Sequence, residues 1–207
     1  MADTAQIAGV LLAGGLARRM GGGDKCLRPL AGKPILSHVL ERVRPQVGPL
    51  LLNVNSDQSH FQDYKLPMAA DVIEGHAGPL AGILTGMEWA AEQAPDCAWL
   101  ASFATDAPFL PDDLVARLMR AIMAEDAEIA CAASNGRSHP VFALWPVALR
   151  DALRHALVAE DIRKIDVWTA HYPVATVEFE AAPHDPFFNA NRPEDFTEAE
   201  RLLGELG

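Results

Sequence analysis

The segment from Leu11 to Lys25, LLAGGLARRMGGGDK, places five glycines and three cations within fifteen residues. Gly14, Gly15, Gly21, Gly22 and Gly23 let a backbone reach positive φ and approach a ligand closely, so successive N–H groups can face a polyphosphate. Arg18, Arg19 and Lys25 add the charge that bare amides lack: a guanidinium forks two phosphate oxygens, and an ammonium acts as a compact point charge. The set suits a nucleoside triphosphate and the charge that develops on departing pyrophosphate. Ordinary connections rarely exceed about six residues, so a plain surface loop explains this stretch poorly. It is neither a G-x-x-x-x-G-K-[ST] P-loop nor a G-x-G-x-x-G dinucleotide fingerprint.

Further along, Asp106 ends the apolar run Trp99 to Ala104. A carboxylate at the carboxyl end of a central strand stands where open α/β sheets bind ligands, and one such group plus phosphate oxygens and water can hold Mg²⁺. The plainer role is to cap the turn into Pro108. Asn53 and Asp71 form an amide and carboxylate pair suited to a guanine edge, since one Asp accepts from both the ring N–H and the exocyclic amine; turn or capping roles stay open for each. Gly78 and Gly82 flank a helix start and either bring backbone N–H groups to a ligand or allow close packing. Asn189 and Asn191 precede the Pro193 helix and also read as a turn. Arg163 and Lys164 can hold an acceptor phosphate or lie on a solvated helix face.

These residues need a frame. Continuous apolar runs at Ile7 to Leu12, Leu50 to Val54, Ala98 to Ala104 and Ile129 to Ala133 suit strands buried on both faces. Between them, Ile35, Val39, Leu40 and Val43, then Leu80, Leu84, Met87 and Ala91, then Leu114, Leu118 and Ile122 recur at helical period. Pro34, Pro111 and Pro193 mark helix starts. The alternation predicts a single-domain, three-layer α/β/α fold with a mostly parallel sheet, of the Rossmann-like kind.

With 207 residues, half of them apolar, the chain supports one core, and no repeat or linker divides it. A formal charge of -11 repels nucleic acid and anionic lipid, so neither is an expected partner. The apolar run after the N-terminus is too short for a signal peptide or membrane span, and three scattered cysteines suggest reduced thiols; a cytoplasmic protein is expected.

The pattern L-A-G-G-x-x-x-R-M-G-x-x-D-K after a first strand resembles the molybdenum cofactor guanylyltransferase family. Gly32-Lys33-Pro34, Asn53-Val54-Asn55, Gly78-Pro79-Leu80-Ala81-Gly82, Thr105-Asp106-Ala107-Pro108, His139-Pro140-Val141-Phe142 and Asn189-Ala190-Asn191 extend the resemblance over nearly the whole chain. It implies a nucleotidyltransferase fold, transfer of GMP from GTP to the phosphate of Mo-molybdopterin, Mg²⁺ on Asp106, and Arg19, Lys25 and Asp106 as the catalytic set. GTP would then lie against Leu12, Ala13, Gly14, Gly15, Lys25, Asn53, Asp71, Gly78, Gly82 and Asp106. The acceptor would meet Arg163, Lys164, Asn189 and Asn191. The nucleotide part would span about 1–110 and the acceptor part about 111–207, with transient contacts to molybdoenzyme chaperones or molybdenum insertion proteins. Two rivals are a cytidylyltransferase for the same acceptor or another nucleotidyltransferase for a sugar-like phosphate, disfavoured because cytidylyl relatives tend to carry a second Ala where this chain has Gly14, and a non-catalytic GTP or cofactor carrier.

Overall fold

The computed structural model describes residues 6–14, 24–75 and 78–206. In chain order the elements are β1 (Ile7–Leu12), a short hairpin of β2 (Pro29–Leu30) and β3 (Lys33–Pro34), α1 (Ile35–Val43), β4 (Leu50–Asn53), β5 (Met68–Ala69) and α2 (Pro79–Gln93). There follow β6 (Trp99–Ala104), α3 (Leu114–Glu125), β7 (Ile129–Ser134), β8 (Arg137–Pro146), α4 (Arg150–Val158), α5 (Ile165–Thr169), β9 (Val174–Phe179) and α6 (Pro193–Leu206).

The main sheet has seven strands in the order β5-β4-β1-β6-β8-β7-β9. All neighbours are parallel except at β8, which runs antiparallel to both β6 and β7. Because alternate side chains of a strand face opposite ways, each apolar run feeds two cores at once. Ile7 and Leu11 of β1 join α1, α3 and α6 on one face, while Ala8 and Val10 join α2, α4 and α5 on the other. The three-layer α/β/α expectation is met. Among the described residues no helix is long and apolar enough to cross a membrane.

Two local readings are corrected. Helix α3 begins at Leu114, not at Pro111. Gln46, fully packed beneath it, accepts from Val115 N at 3.0 Å and donates to the Pro111 carbonyl at 2.8 Å, so a side chain from elsewhere caps the first turn and holds 111–113 outside it. The four strands expected from apolar runs also omitted β8, whose Pro140 argues against a central strand. The β7–β8 register shifts between Cys131 and Ala132, and residues 140–142 fall in that bulge, where Pro140 owes the ladder no N–H.

Candidate active site

Leu12 is level with Asn53 on one side and with Ala104 on the other, so three parallel strands end together. The turns leaving them line a cavity of about 400 Å³ that takes in Leu12, Gly14, Lys25, Asn53, Asn55, Asp71, Gly78, Gly82 and Asp106. This is the carboxyl edge of the sheet, where the backbone turns away and leaves a crevice.

At one end, Asn53 is buried and its Nδ2 donates to Asp71 Oδ1 at 2.9 Å. Asn55 Nδ2 donates to Asp71 Oδ2 at 2.9 Å, and Asn55 Oδ1 accepts from the Asp71 N–H at 2.8 Å. Each carboxylate oxygen of Asp71 thus takes one amide proton and keeps a lone pair for a ligand.

The other end is charged. Lys25, only 8% exposed, donates from Nζ to Asp106 Oδ2 at 2.6 Å and to Asn191 Oδ1 at 2.5 Å. In the orientation its neighbours favour, the Asn189 amide nitrogen donates to Asp106 Oδ1 at 3.3 Å and to the Phe187 carbonyl at 3.2 Å. Ala190 N donates to the Asp106 carbonyl at 3.1 Å. Residues 189–191 run as irregular backbone rather than the turn their residue types allow, and this stretch is fastened to Asp106.

Helix α2 points its N-terminus into the cavity behind Gly78, whose φ of 152° is open to glycine and strained for other residues. Gly82 acts through packing as well as proximity: a Cβ there would lie 2.5 Å from Asn53 Oδ1 and 2.7 Å from Leu12 Cδ2. Ala13 lies behind the wall, 4% exposed, with its N–H given to the Asn53 carbonyl at 2.9 Å. Gly15, Arg18, Arg19 and Gly21 to Gly23 lie outside the described residues.

Arg163 and Lys164 are not on a helix face. They lead into α5, with Lys164 as its N-cap, and line a neighbouring cavity of about 810 Å³ that shares Pro79 and Val141 with the first. Arg163 pairs with Asp161 through Nη2, while its Nη1 is buried with no hydrogen-bond partner among the described residues.

Residues 9–174 match the model of the MobA-like NTP transferase domain. A molybdenum cofactor guanylyltransferase of Bradyrhizobium sp. is 57% identical over 199 residues, covering 96% of this chain and 94% of that protein. The chain belongs to the molybdenum cofactor guanylyltransferase family. The crystal structure of a molybdopterin-guanine dinucleotide biosynthesis protein A from Archaeoglobus fulgidus shares the fold, with a TM-score of 0.72 at 23% identity over 96% of this chain and 99% of that one. A Mycobacterium tuberculosis protein solved in complex with manganese also shares it, with a TM-score of 0.67 at 17% identity over 95% and 98% of the two chains.

Within this family frame three residues matter that residue types alone did not single out. Asp24 has a side chain 4% exposed, and accepts from Ser56 Oγ at 2.5 Å and pairs with His60 Nδ1 at 3.1 Å, so the end of the glycine-rich segment is tied to the turn after β4. Its only signal was its place before Lys25. Thr105 donates to the Leu12 carbonyl at 3.1 Å and so ties the Asp106 turn to β1. Cys26 also lines the cavity, but burial pushes its thiol up to about 12 against the downward pull of the Thr105 hydroxyl. A neutral thiol is a poor nucleophile, and covalent catalysis through Cys26 is disfavoured.

Proposed function

We propose that the chain transfers GMP from GTP to the terminal phosphate of Mo-molybdopterin, forming the guanine dinucleotide cofactor and pyrophosphate. One observation carries the reading: Lys25 and Asp106, braced by Asn191 and Asn189, line the same cavity as the Asn53–Asp71–Asn55 cluster. The names of relatives such as the Bradyrhizobium enzyme supply the substrates.

An oxygen of the acceptor phosphate, already ionised near neutral pH, attacks the α-phosphorus of GTP. As that P–O bond forms, the bond from the α-phosphorus to the bridging oxygen breaks, and pyrophosphate leaves with the electron pair. No general base is needed, so catalysis rests on in-line positioning and charge neutralisation. Asp71 receives the N–H groups of the guanine edge on its free lone pairs. Lys25 faces the phosphates, with Arg19 assigned the same task. Arg163 and Lys164 hold the acceptor in the adjoining cavity, and the unpartnered Arg163 Nη1 is the group with a hydrogen bond to offer. The nucleotide part then covers about 1–110; the acceptor part, about 111–207, sends Asn189 and Asn191 back to Asp106.

The donor set fits a hard divalent cation. Two side-chain oxygens, from Asp106 and Asn191, already converge on one positive charge, the Lys25 ammonium. Asp106 would hold Mg²⁺, which would supply charge neutralisation at the phosphates; the manganese complex of the mycobacterial neighbour supports a divalent ion. All three cysteines are buried thiols, which suits a reducing cytoplasm.

The test is pyrophosphate release from purified protein with Mg²⁺ and Mo-molybdopterin, comparing GTP, CTP and ATP and omitting acceptor as control. Acceptor-dependent release with GTP alone is expected. Release mainly with CTP would overturn the base assignment, and GTP binding without release would point to a carrier.

A further inference from the structure

Ser134, His139 and Asp185 form a polar cluster that neither cavity lining nor any role above uses completely. Ser134, the last residue of β7, is 1% exposed. Its Oγ lies 2.8 Å from Asp185 Oδ1 and 2.7 Å from His139 Nε2. The residue types suggest a nucleophilic triad, but the order is wrong, because a triad needs the imidazole between hydroxyl and carboxylate, and here the hydroxyl is in the middle.

Counting protons assigns the directions. A carboxylate only accepts and a serine has a single O–H, so Ser134 donates to Asp185 and His139 must donate from Nε2 to Ser134. Burial holds the His139 imidazole below its ordinary range, against the upward pull of Asp185, which suits a neutral Nε2–H ring. Asp185 Oδ1 also accepts from Phe187 N at 2.9 Å. The Phe187 ring packs on His139, Phe142 and Phe179 at centroid distances of 4.7, 5.0 and 5.4 Å, and its carbonyl accepts from the Asn189 amide. Beyond Asn189, Ala190 N reaches the Asp106 carbonyl, and Asp195 Oδ2 accepts from Asn191 N at 2.7 Å and Arg192 N at 2.8 Å. The stretch between β9 and α6 has no ladder or helix of its own, so these bonds, together with Phe188 N donating to the Asp185 carbonyl at 3.1 Å, set its path.

We propose that Ser134, His139 and Asp185 act as a positioning relay that holds the 185–191 segment so that Asn189 and Asn191 reach the Asp106–Lys25 pair. The inference rests on the reading of that pair as the centre of transfer. It makes all three positioning residues for the reaction, with no contact to substrate required.

The test compares Asp185→Ala, Ser134→Ala and Asp185→Asn in the transfer assay, together with hydrogen exchange at the Ala190 amide. An Asn at 185 keeps an Oδ1 able to accept both bonds, so it is the conservative rescue. Both Ala variants are expected to lower kcat about tenfold while KM for GTP changes less than about twofold, since misplacement rather than lost binding is the defect. Exchange at Ala190 should quicken in both, and Asp185→Asn should stay near wild type in both readouts. If Asp185→Ala fails to fold, Ser134→Ala, which leaves the Asp185–Phe187 bond in place, carries the test with the rescue variant. Ala variants with wild-type kcat and unchanged Ala190 exchange would overturn the relay, as would an Asn variant as slow as Ala. Wild-type protein without acceptor-dependent release, yet with Ala190 exchange following the relay, would sink the functional reading and leave the positioning role standing.

Discussion

Lys25 and Asp106, 81 positions apart in sequence, meet at 2.6 Å through Nζ and Oδ2. The contact joins the end of the glycine-rich segment to the turn after β6, and the side chains are 10% and 24% exposed. A partly desolvated pair of this kind holds its geometry against solvent better than a surface ion pair does. On the proposed reading it would set a fixed cation and the carboxylate assigned to the metal beside the phosphates, which is what charge neutralisation in phosphoryl transfer requires.

Asp106→Asn keeps the shape and an oxygen for Lys25 but removes the charge. Turnover should fall about 10²–10³-fold, and the Mg²⁺ concentration for half-maximal rate should rise at least about tenfold. A Mg²⁺ titration of pyrophosphate release checks both. Unchanged Mg²⁺ dependence would remove Asp106 from the metal role.

Lys25→Ala should lower kcat by about 10²-fold and raise KM for GTP by much less, because the contacts to the base proposed for Asn53 and Asp71 are untouched. Lys25→Arg should not restore the rate: a planar guanidinium does not reproduce the compact point charge that Asp106 Oδ2 and Asn191 Oδ1 share. Wild-type turnover of the Ala variant at saturating GTP would exclude the role.

The ends of β4 and β6 were readable because a polar residue, Asn53 or Asp106, stands at or just past the end of a largely apolar run. The register that sets Leu12 level with both could not be read, since it depends on pairing between segments 40 and 90 or so residues apart. Pairings at long range hid the rest. Nothing near Asp71 announces that Asn53 and Asn55 clasp it, and nothing near Asn189 announces Asp106. For Arg163 the local pattern of apolar neighbours pointed toward a helix face, whereas its ion pair with Asp161 and its place before α5 put it on a cavity wall. Strand β9 shows why edges are hard: only Ala175 and Phe179 are buried, so its apolar signal is short.

Gly82→Ala sets two effects against each other. Alanine favours a helix interior over glycine by about 1 kcal/mol. The added methyl would sit 2.5 Å from Asn53 Oδ1 and 2.7 Å from Leu12 Cδ2, and forcing atoms into a packed interior costs about 1–3 kcal/mol. Overpacking should win, lowering Tm by a few degrees, roughly 2–4 °C per kcal/mol at this size. Displacement of Asn53 should also raise KM for GTP. Thermal unfolding and GTP kinetics read the two consequences, and a variant more stable than wild type would show that α2 yields freely.

Alkaline stability follows from the buried thiols. Burial pushes Cys26 and Cys131 up to about 12 from an ordinary 9.0. A group raised in the folded state contributes its full stabilisation below the unfolded pKa and loses it as pH climbs toward the folded one. Between pH 9 and about 12 the unfolded chain sheds thiol protons that the folded chain keeps, so stability should decline by up to about 1.4 kcal/mol per pH unit for each thiol. Tyr64 and Tyr172, also raised by burial, steepen the loss at the upper end. The urea midpoint should therefore be insensitive to these thiols from pH 7 to about 8.5 and fall above 9. Cys26→Ala combined with Cys131→Ala lowers the midpoint at every pH through the cavities left behind, but should flatten its decline above pH 9. An equally steep decline in that double variant would assign the alkaline loss to other groups.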